Sequence, residues 1–271
     1  MPKPSPRDII LKLLLASGAG GLSARDAVAG CALFGIAENS ARVALVRLVD
    51  EAMIEAIGRG AYSLGPKAAN LAADVATWRN AEQRVRTWRG DWLAVHTAGL
   101  KRADRAALRG RERAMGLLGL RELEKDLFLR PNNLAGGADA ARERLHKLDA
   151  DFEAPVFVLR DLDPRREKRA QTLWNSRELN AAYAATRRKL EDWVVRAERL
   201  DVPIAARESY VLGDKAIRQI IFDPLLPEPL VDVDERKAFH EMAVRFDRMG
   251  HAIWQAFLSG RPSVDATHHH A

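Results

Sequence analysis

The sequence predicts a multidomain α+β protein with an N-terminal helical segment closed by a β-hairpin, a central α/β domain and an all-α C-terminal part. Three observations carry that prediction. Capped helix starts precede two short strand-like runs, "MIEAIG" and "AYSL". Strand-like and helix-like segments then alternate over 91–162, and from Asp163 onward a helical period is broken by one Pro-rich joint. The expected boundaries are residues 1–66, a linker helix over 67–90, 91–162 and 163–271.

In the first segment, "SPRD" places Ser5 as N-cap, Pro6 at the first helical position and Asp8 as the capping-box acid. That helix carries Ile9, Leu13 and Leu14 and stops at "SGAGG"; "SARD" repeats the device with Ser23 and Asp26, and this second helix ends near Gly35. After a short turn over 35–39, a third helix is expected from about Asn39 to Ala52. At 100° per residue, Ala41, Leu45, Leu48 and Ala52 share one stripe, with Ala44 and Val49 beside it. Asn39, Val43, Val46 and Asp50 lie opposite, flanked by Arg42 and Arg47. The "GRG" between the two strands permits a tight turn. Helix, helix, turn, helix and hairpin is the order of a winged helix-turn-helix.

The outward face of the third helix has the chemistry of a DNA reader. Arginine can be bidentate to guanine, asparagine to adenine, and an exposed valine suits the thymine methyl. Asn39, Ser40, Arg42, Val43, Val46 and Arg47 are therefore the candidate DNA-binding residues, with Arg59 at the hairpin tip placed for a phosphate or the minor groove. Asn39 has a competing role as the N-cap of its own helix. A helix that packs its valines on another protein subunit is the alternative for this face.

Leu71, Val75, Trp78, Val85 and Trp88 recur at helical spacing, which predicts an amphipathic linker helix over 68–89 bearing Arg79, Arg84, Arg86 and Arg89. Beyond it, "DWLAVHT" reads as a strand, "RADRAALRGRERAMGLLG" as a helix, "LRELEKDLFLR" as a hairpin, "GADAARERLHKL" as a helix and "APVFVLRDL" as a strand. That βαββαβ order predicts a ferredoxin-like layer. In the C-terminal part, Asp163-Pro164 opens a helical region carrying Trp174, Tyr183, Leu190 and Trp193, and a second helix covers 203–222. "FDPLLPEPL" then forbids helix, and Phe239, Met242, Phe246, Met249, Ile253 and Phe257 line one face of the last helix as core or dimer interface.

The chain has 271 residues, one cysteine (Cys31) and a net charge of +6. A single cysteine excludes an internal disulfide, and the cytoplasm is the expected location. No apolar run approaches the roughly 18–20 residues of a membrane span, and "MPKPSPRD" lacks the apolar centre of a secretory signal. The basic excess sits in 66–130, with 14 Lys and Arg against 8 Asp and Glu. Phosphate-loop, zinc-protease and nucleophile-elbow motifs are all missing, and His96 and His146 have no partner at metal-ligand spacing. No enzyme, cofactor or metal is expected.

Taken together, "NSARVALVRLVDEAMIE", "GRGAYSL", "WRGDWLAVH", "RELEKDLFLRPNNLAGG", "LW" with "LNAAY", and "RQIIFDPLLPEPL" resemble the PaaX family, repressors of phenylacetate catabolism and their relatives. The resemblance covers nearly the whole chain. It implies a winged helix, a ferredoxin-like domain similar to the CRISPR spacer-acquisition nuclease, and a helical C-terminal domain. It further implies a homodimeric repressor on a palindromic double-stranded operator, released by an acyl-CoA effector such as phenylacetyl-CoA. By motif position, Arg42 and Arg47 belong to the reading helix and Arg59 to the wing. Such an effector needs an apolar slot and cations for its phosphates; Arg130, Trp174 and Arg218 are candidates by residue type and region. The competing functions are a nucleic-acid-processing enzyme built on the ferredoxin-like layer, and a protein-interaction scaffold. The first wants a metal-holding carboxylate at the end of the first strand, where this chain has Asp91 before the strand and His96 near its end.

Overall fold

A computed structural model describes residues 4–17, 21–58, 60–68, 77–100, 105–149 and 152–260. The chain divides into two compact units: residues 1–77, 192–214 and 244–271 form one, and 78–191 with 215–243 form the other. Within the described residues the architecture is mixed α+β, with two small antiparallel sheets and a helical C-terminal region.

The first unit begins with α1 (Pro6–Ser17), β1 (Leu22–Ser23), α2 (Ala24–Ala32), α3 (Glu38–Asp50), β2 (Ile54–Gly58) and β3 (Ala61–Leu64). Both caps form as the sequence dictates. The Asp8 amide donates to Ser5 Oγ at 3.2 Å, and the Asp26 amide to Ser23 Oγ at 3.0 Å. The third helix starts one residue earlier than expected, with Ala37 at the N-cap and no side-chain cap, so Asn39 lies inside the helix with its side chain exposed. It also ends earlier. Ala52 adopts φ 56°, outside the helix, and the Met53 amide closes on the Leu48 carbonyl at 2.9 Å. The sheet order is β1-β3-β2, with Leu22 opposite Tyr62 and Ile54 opposite Leu64.

Ile9, Ile10, Leu13, Leu14, Leu22, Ala27, Cys31, Ala41, Leu45, Leu48 and Ile54 form the core of this unit, and Ala206, Trp254 and Phe257 complete it. The last three arrive from α8 (Val202–Ile221) and α9 (Val233–Ser259). Gly30 marks the closeness of that packing, since a Cβ there would meet Leu13 Cδ1 at 2.6 Å and Trp254 Cζ3 at 3.5 Å. Lys12 pairs with Asp214 and sits 4.7 Å from the Tyr210 ring centroid.

The second unit holds β4 (Trp92–His96), α4 (Arg105–Leu117), β5 (Arg121–Glu124), β6 (Leu127–Pro131), α5 (Gly137–Leu148) and β7 (Val156–Leu159). The sheet is antiparallel throughout, in the order β5-β6-β4-β7. Helices α4 and α5 cover one face, where Ala114, Met115, Leu118, Ala141 and Leu145 meet Leu93 and Val95. Trp92 packs instead against Trp88 and Trp174, and its indole N–H donates to Glu167 on α6 (Pro164–Gln171) at 2.9 Å. As the sequence requires, Asp163 caps α6, accepting from the Arg165 and Arg166 amides at 3.0 and 3.1 Å. A break just before Ser176 separates α6 from α7 (Ser176–Ala197).

Over 77–89, the described part of the expected linker, no continuous α-helix forms. Residues 77–84 make a 3-10 helix kinked at Asn80, and Val85 is bridged to Leu134. Expected positions Leu71 and Val75 lie outside the described residues. The competing pull is tertiary: the Arg86 amide donates to the Asn133 carbonyl at 2.7 Å, and the Ala135 amide to the Arg84 carbonyl at 2.8 Å. Those bonds take the backbone that a helix would use. Trp78 is buried all the same, its carbonyl 2.8 Å from His240 Nε2.

Candidate nucleic-acid interface

Helix α3 is two-faced. Ala41, Leu45 and Leu48 are buried, whereas Val43 is 41% and Val46 61% exposed. Asn39, Ser40, Arg42, Arg47 and Asp50 are exposed beside them. Six of the seven residues expected to touch DNA therefore share one accessible helix face. The seventh, Arg59, lies outside the described residues. Two exposed valines on a helix that buries its other side leave apolar surface in water that its own fold does not use.

The two arginines differ in readiness. Arg42 is tethered to Glu38 one turn earlier, its Nε donating to Oε1 at 2.8 Å and its Nη2 standing 2.7 Å from the same oxygen. An exposed pair of this spacing is weak, about 0.2–0.5 kcal/mol, so the tether yields readily to a better anion. Arg47 has no ion-pair partner among the described residues.

The neighbouring hairpin contributes Ile57, 53% exposed near its tip, which sequence reasoning missed. A signal was available: Ile54 and Ile57 are an odd number of residues apart, so on a pleated strand only one of them can face the core. Ile54 does, at 1% exposure.

The three effector candidates have other tasks or other places. Arg130 is only 3% exposed, and its guanidinium is fully engaged. Nε donates to the Pro131 carbonyl at 3.1 Å, and Nη2 to Asn133 Oδ1 and the Pro224 carbonyl at 3.0 and 3.1 Å. Nη1 donates to the Leu118 carbonyl. Burial, with Arg84 adding, pushes its pKa down to about 10, so it stays charged at neutral pH. A buried cation whose three nitrogens all bond internal acceptors is a structural pin rather than an open phosphate receptor. Trp174 is buried on Trp92, with its indole N–H on the Gly119 carbonyl at 3.1 Å. Arg130 and Trp174 thus meet at the same turn, 118–119, while Arg218 is exposed on α8.

The motif stretches converge on this knot. Asn133 Nδ2 donates to the Leu225 carbonyl at 2.7 Å, and a Cβ on Gly119 would lie 3.0 Å from Pro224 Cα. Arg236 holds the Pro-rich joint from its far end, bonding the Leu226 carbonyl and gripping Glu82 at 2.8 and 3.1 Å. "RPNN" and "FDPLLP" are therefore paired because each supplies the other's buried hydrogen bonds. Asp91, the carboxylate nearest the first strand, accepts from Asn132 Nδ2 at 2.9 Å with Arg160 at 3.7 Å. Among the described residues no group of three or more His, Cys, Asp and Glu is placed to hold a metal ion. No helix among them is long and apolar enough to cross a membrane.

A cleft of about 650 Å³ opens in the first unit where the end of α2 meets α7 and α8. Leu33, Pro203, Ile204, Val211 and Leu212 give it apolar walls, and Arg196, Arg207 and Glu208 supply charge. Glu208 is engaged by the Trp193 indole at 2.7 Å and by Arg196 at 3.5 Å. Arg207 has no ion-pair partner among the described residues.

No curated protein matches the chain. Among solved structures, the uncharacterized protein Rv0674 from Mycobacterium tuberculosis is similar in fold, with a TM-score of 0.63 and 22% identity over 93% of this chain and 99% of that one. Residues 174–256 match the family model described as the PaaX-like protein C-terminal domain. That span runs from Trp174, through the Pro-rich joint that Arg130 and Arg236 pin, to the Trp254 that completes the N-terminal core; over it the chain is similar to the C-terminal domain of PaaX-like proteins, the family its sequence resembles.

Proposed function

We propose that this protein is a sequence-specific DNA-binding transcriptional repressor of an aromatic-acid catabolic operon, and not an enzyme. In this reading residues 1–66 are a winged helix-turn-helix: α2 and α3 are its two helices, and the β2–β3 hairpin is the wing. The observation that carries it is the outward face of α3, where Val43 and Val46 stand exposed between Arg42 and Arg47. In the major groove that surface finds thymine methyls and guanine edges, which water cannot replace. The βαββαβ order with β5-β6-β4-β7 pairing supports the ferredoxin-like reading of 91–162. The protein acts in the cytoplasm as a homodimer, whose two-fold symmetry matches a palindromic operator.

Release by a small-molecule effector completes the reading. With Arg130 and Trp174 committed to packing, the cleft beside α2 is the better seat for an acyl-CoA such as phenylacetyl-CoA. Its apolar walls suit the acyl group, and Arg207 is a cation without an ion-pair partner among the described residues. The effector must bind the DNA-free form more tightly, because equal affinity for both forms would shift nothing. The test is operator binding by fluorescence anisotropy, with and without phenylacetyl-CoA, for the unaltered protein and Arg207→Ala. Release by the thioester that Arg207→Ala blunts is expected. Binding that ignores the thioester refutes the effector and leaves the repressor. No sequence-dependent binding refutes both.

A further inference from the structure

The basic excess of residues 66–130 is only partly explained by the buried Arg130, and much of the remainder lies on one helix. Helix α4, "RAALRGRERAMGL", carries Arg105, Arg109, Arg111 and Arg113 against one acid, Glu112. Arg105, Arg109 and Arg113 are exposed, and none has an ion-pair partner among the described residues. Several arginines elsewhere on the surface are instead held by acids. Arg7 pairs with Glu51, Arg142 with Asp139, Arg166 with Glu124, Arg187 with Glu235 and Arg196 with Glu208. The neighbouring α5 offers Asp139 and Glu143, but Asp139 is already held by Arg142.

The three side chains recur every fourth residue, so they form a row on one face with a rise of about 6 Å per step, about 12 Å in all. Phosphates of one DNA strand advance about 3.4 Å each along the axis, so the row spans three to four of them. Guanidinium groups bond phosphate oxygens through two parallel N–H donors, which a run of lysines would not do. Arg105 stands in the first helical turn, where the helix dipole disfavours a cation and favours an anion; a phosphate there relieves the mismatch. The opposite side of α4 is occupied by Ala114, Met115 and Leu118 in the core, so the arginine row is on the face left to solvent.

We propose that the outer face of α4 binds the phosphate backbone of duplex DNA without reading sequence, through Arg105, Arg109 and Arg113. The proposal rests on the DNA-binding reading above, but places a second contact surface in the other unit. Its signature is a salt slope, since each neutralised phosphate contributes about 0.9 to the slope of log affinity against log salt.

The experiment is anisotropy of two 30-bp duplexes, one of arbitrary sequence and one from upstream of the protein's own gene, each about the size of three helical turns, titrated across salt concentrations. The full chain, Arg105→Ala/Arg109→Ala/Arg113→Ala, the same three changed to Lys, and Arg47→Ala are compared. Alanine is a better helix former than arginine, so the triple variant keeps its helix; a thermal melt confirms it. The expected result is a slope shallower by about 2–3 in the alanine variant, restored in the lysine variant. An unchanged slope in the alanine variant overturns the proposal, as does failure of the unaltered protein to bind arbitrary duplex. Arg47→Ala separates the two readings: loss of operator preference with the slope largely retained supports both. Loss of preference with no effect of the α4 variant leaves only the reading helix. Vesicles containing phosphatidylserine are assayed in parallel, and loss of vesicle binding with DNA binding intact reassigns the face to a membrane and overturns the proposal.

Discussion

Glu38→Gln should make this protein bind its operator more tightly while making it less stable. Glu38 occupies the first turn of α3 and holds Arg42 through its Oε1. Neutralising it releases a tether of about 0.2–0.5 kcal/mol and removes a carboxylate from beside the DNA phosphates. With 1.4 kcal/mol per tenfold, release of the tether alone is worth about 1.4- to 2.3-fold in affinity, and loss of the repulsion adds to it, most at low salt. The same carboxylate is the only acid in the first turn of α3, where it complements the helix dipole. Its loss costs about 0.3–1 kcal/mol there, plus the ion pair, and so about 0.5–1.5 kcal/mol of stability. Anisotropy against operator DNA reads the first quantity and urea denaturation the second. The opposite signs are the point of the test. Weaker binding by Glu38→Gln would mean that Glu38 orients Arg42 for its contact, and would refute the view of the pair as a releasable tether.

Three further outcomes are expected. Arg130→Met should cost about 3–5 kcal/mol in chemical denaturation, because Leu118, Pro131, Asn133 and Pro224 lose a shared buried donor; near-neutral stability would show that the knot is not holding the unit. Burial raises the pKa of the Asp223 carboxyl, partly opposed by Tyr183 and the Leu225 amide. The native state then binds the proton more tightly than the unfolded chain, so stability falls as pH rises from the ordinary carboxyl range through the raised value. Asp223→Asn should flatten that dependence in urea melts taken at rising pH from the ordinary carboxyl range upward; an unchanged profile would place the titration elsewhere. Val46→Ser, at an exposed position, should leave stability within about 0.5 kcal/mol but relax base preference in selection from a randomised duplex pool. Preserved preference would return Val46 to a packing role.

What could be read in the sequence follows from the range of the interactions involved. Ser5 with Asp8 and Ser23 with Asp26 are local devices, and both formed at the expected residues. The two faces of α3 follow from its period alone, so Leu45 and Leu48 are buried and Val43 and Val46 exposed as expected. The order of strands and helices over 91–162 was likewise local. Ala206, Trp254 and Phe257 were not assignable to the N-terminal core, because nothing in residues 1–66 specifies which distant side chains will close it. Residues 84–89 follow a related rule: the helical spacing of Val85 and Trp88 is outweighed by backbone bonds from Arg86 to Asn133 and from Ala135 to Arg84. Arg130 could be read either as an effector contact or as ordinary packing, because an arginine's partners are invisible in one dimension. A phosphate receptor and a buried pin have the same letter, and only the four acceptors around it tell them apart.

If the outward face of α3 reads DNA sequence, the protein must distinguish two duplexes that differ only in base order. Anisotropy titrations compare a duplex from upstream of the protein's own gene with a shuffled duplex of the same composition, using the unaltered protein and Arg47→Ala. The account predicts clear preference for the upstream duplex, with Arg47→Ala losing about 1–3 kcal/mol on it and little on the shuffled one. Equal affinity for both duplexes, or an Arg47→Ala variant that keeps the preference, would contradict it. The exposed valines of α3 would then belong to a protein partner.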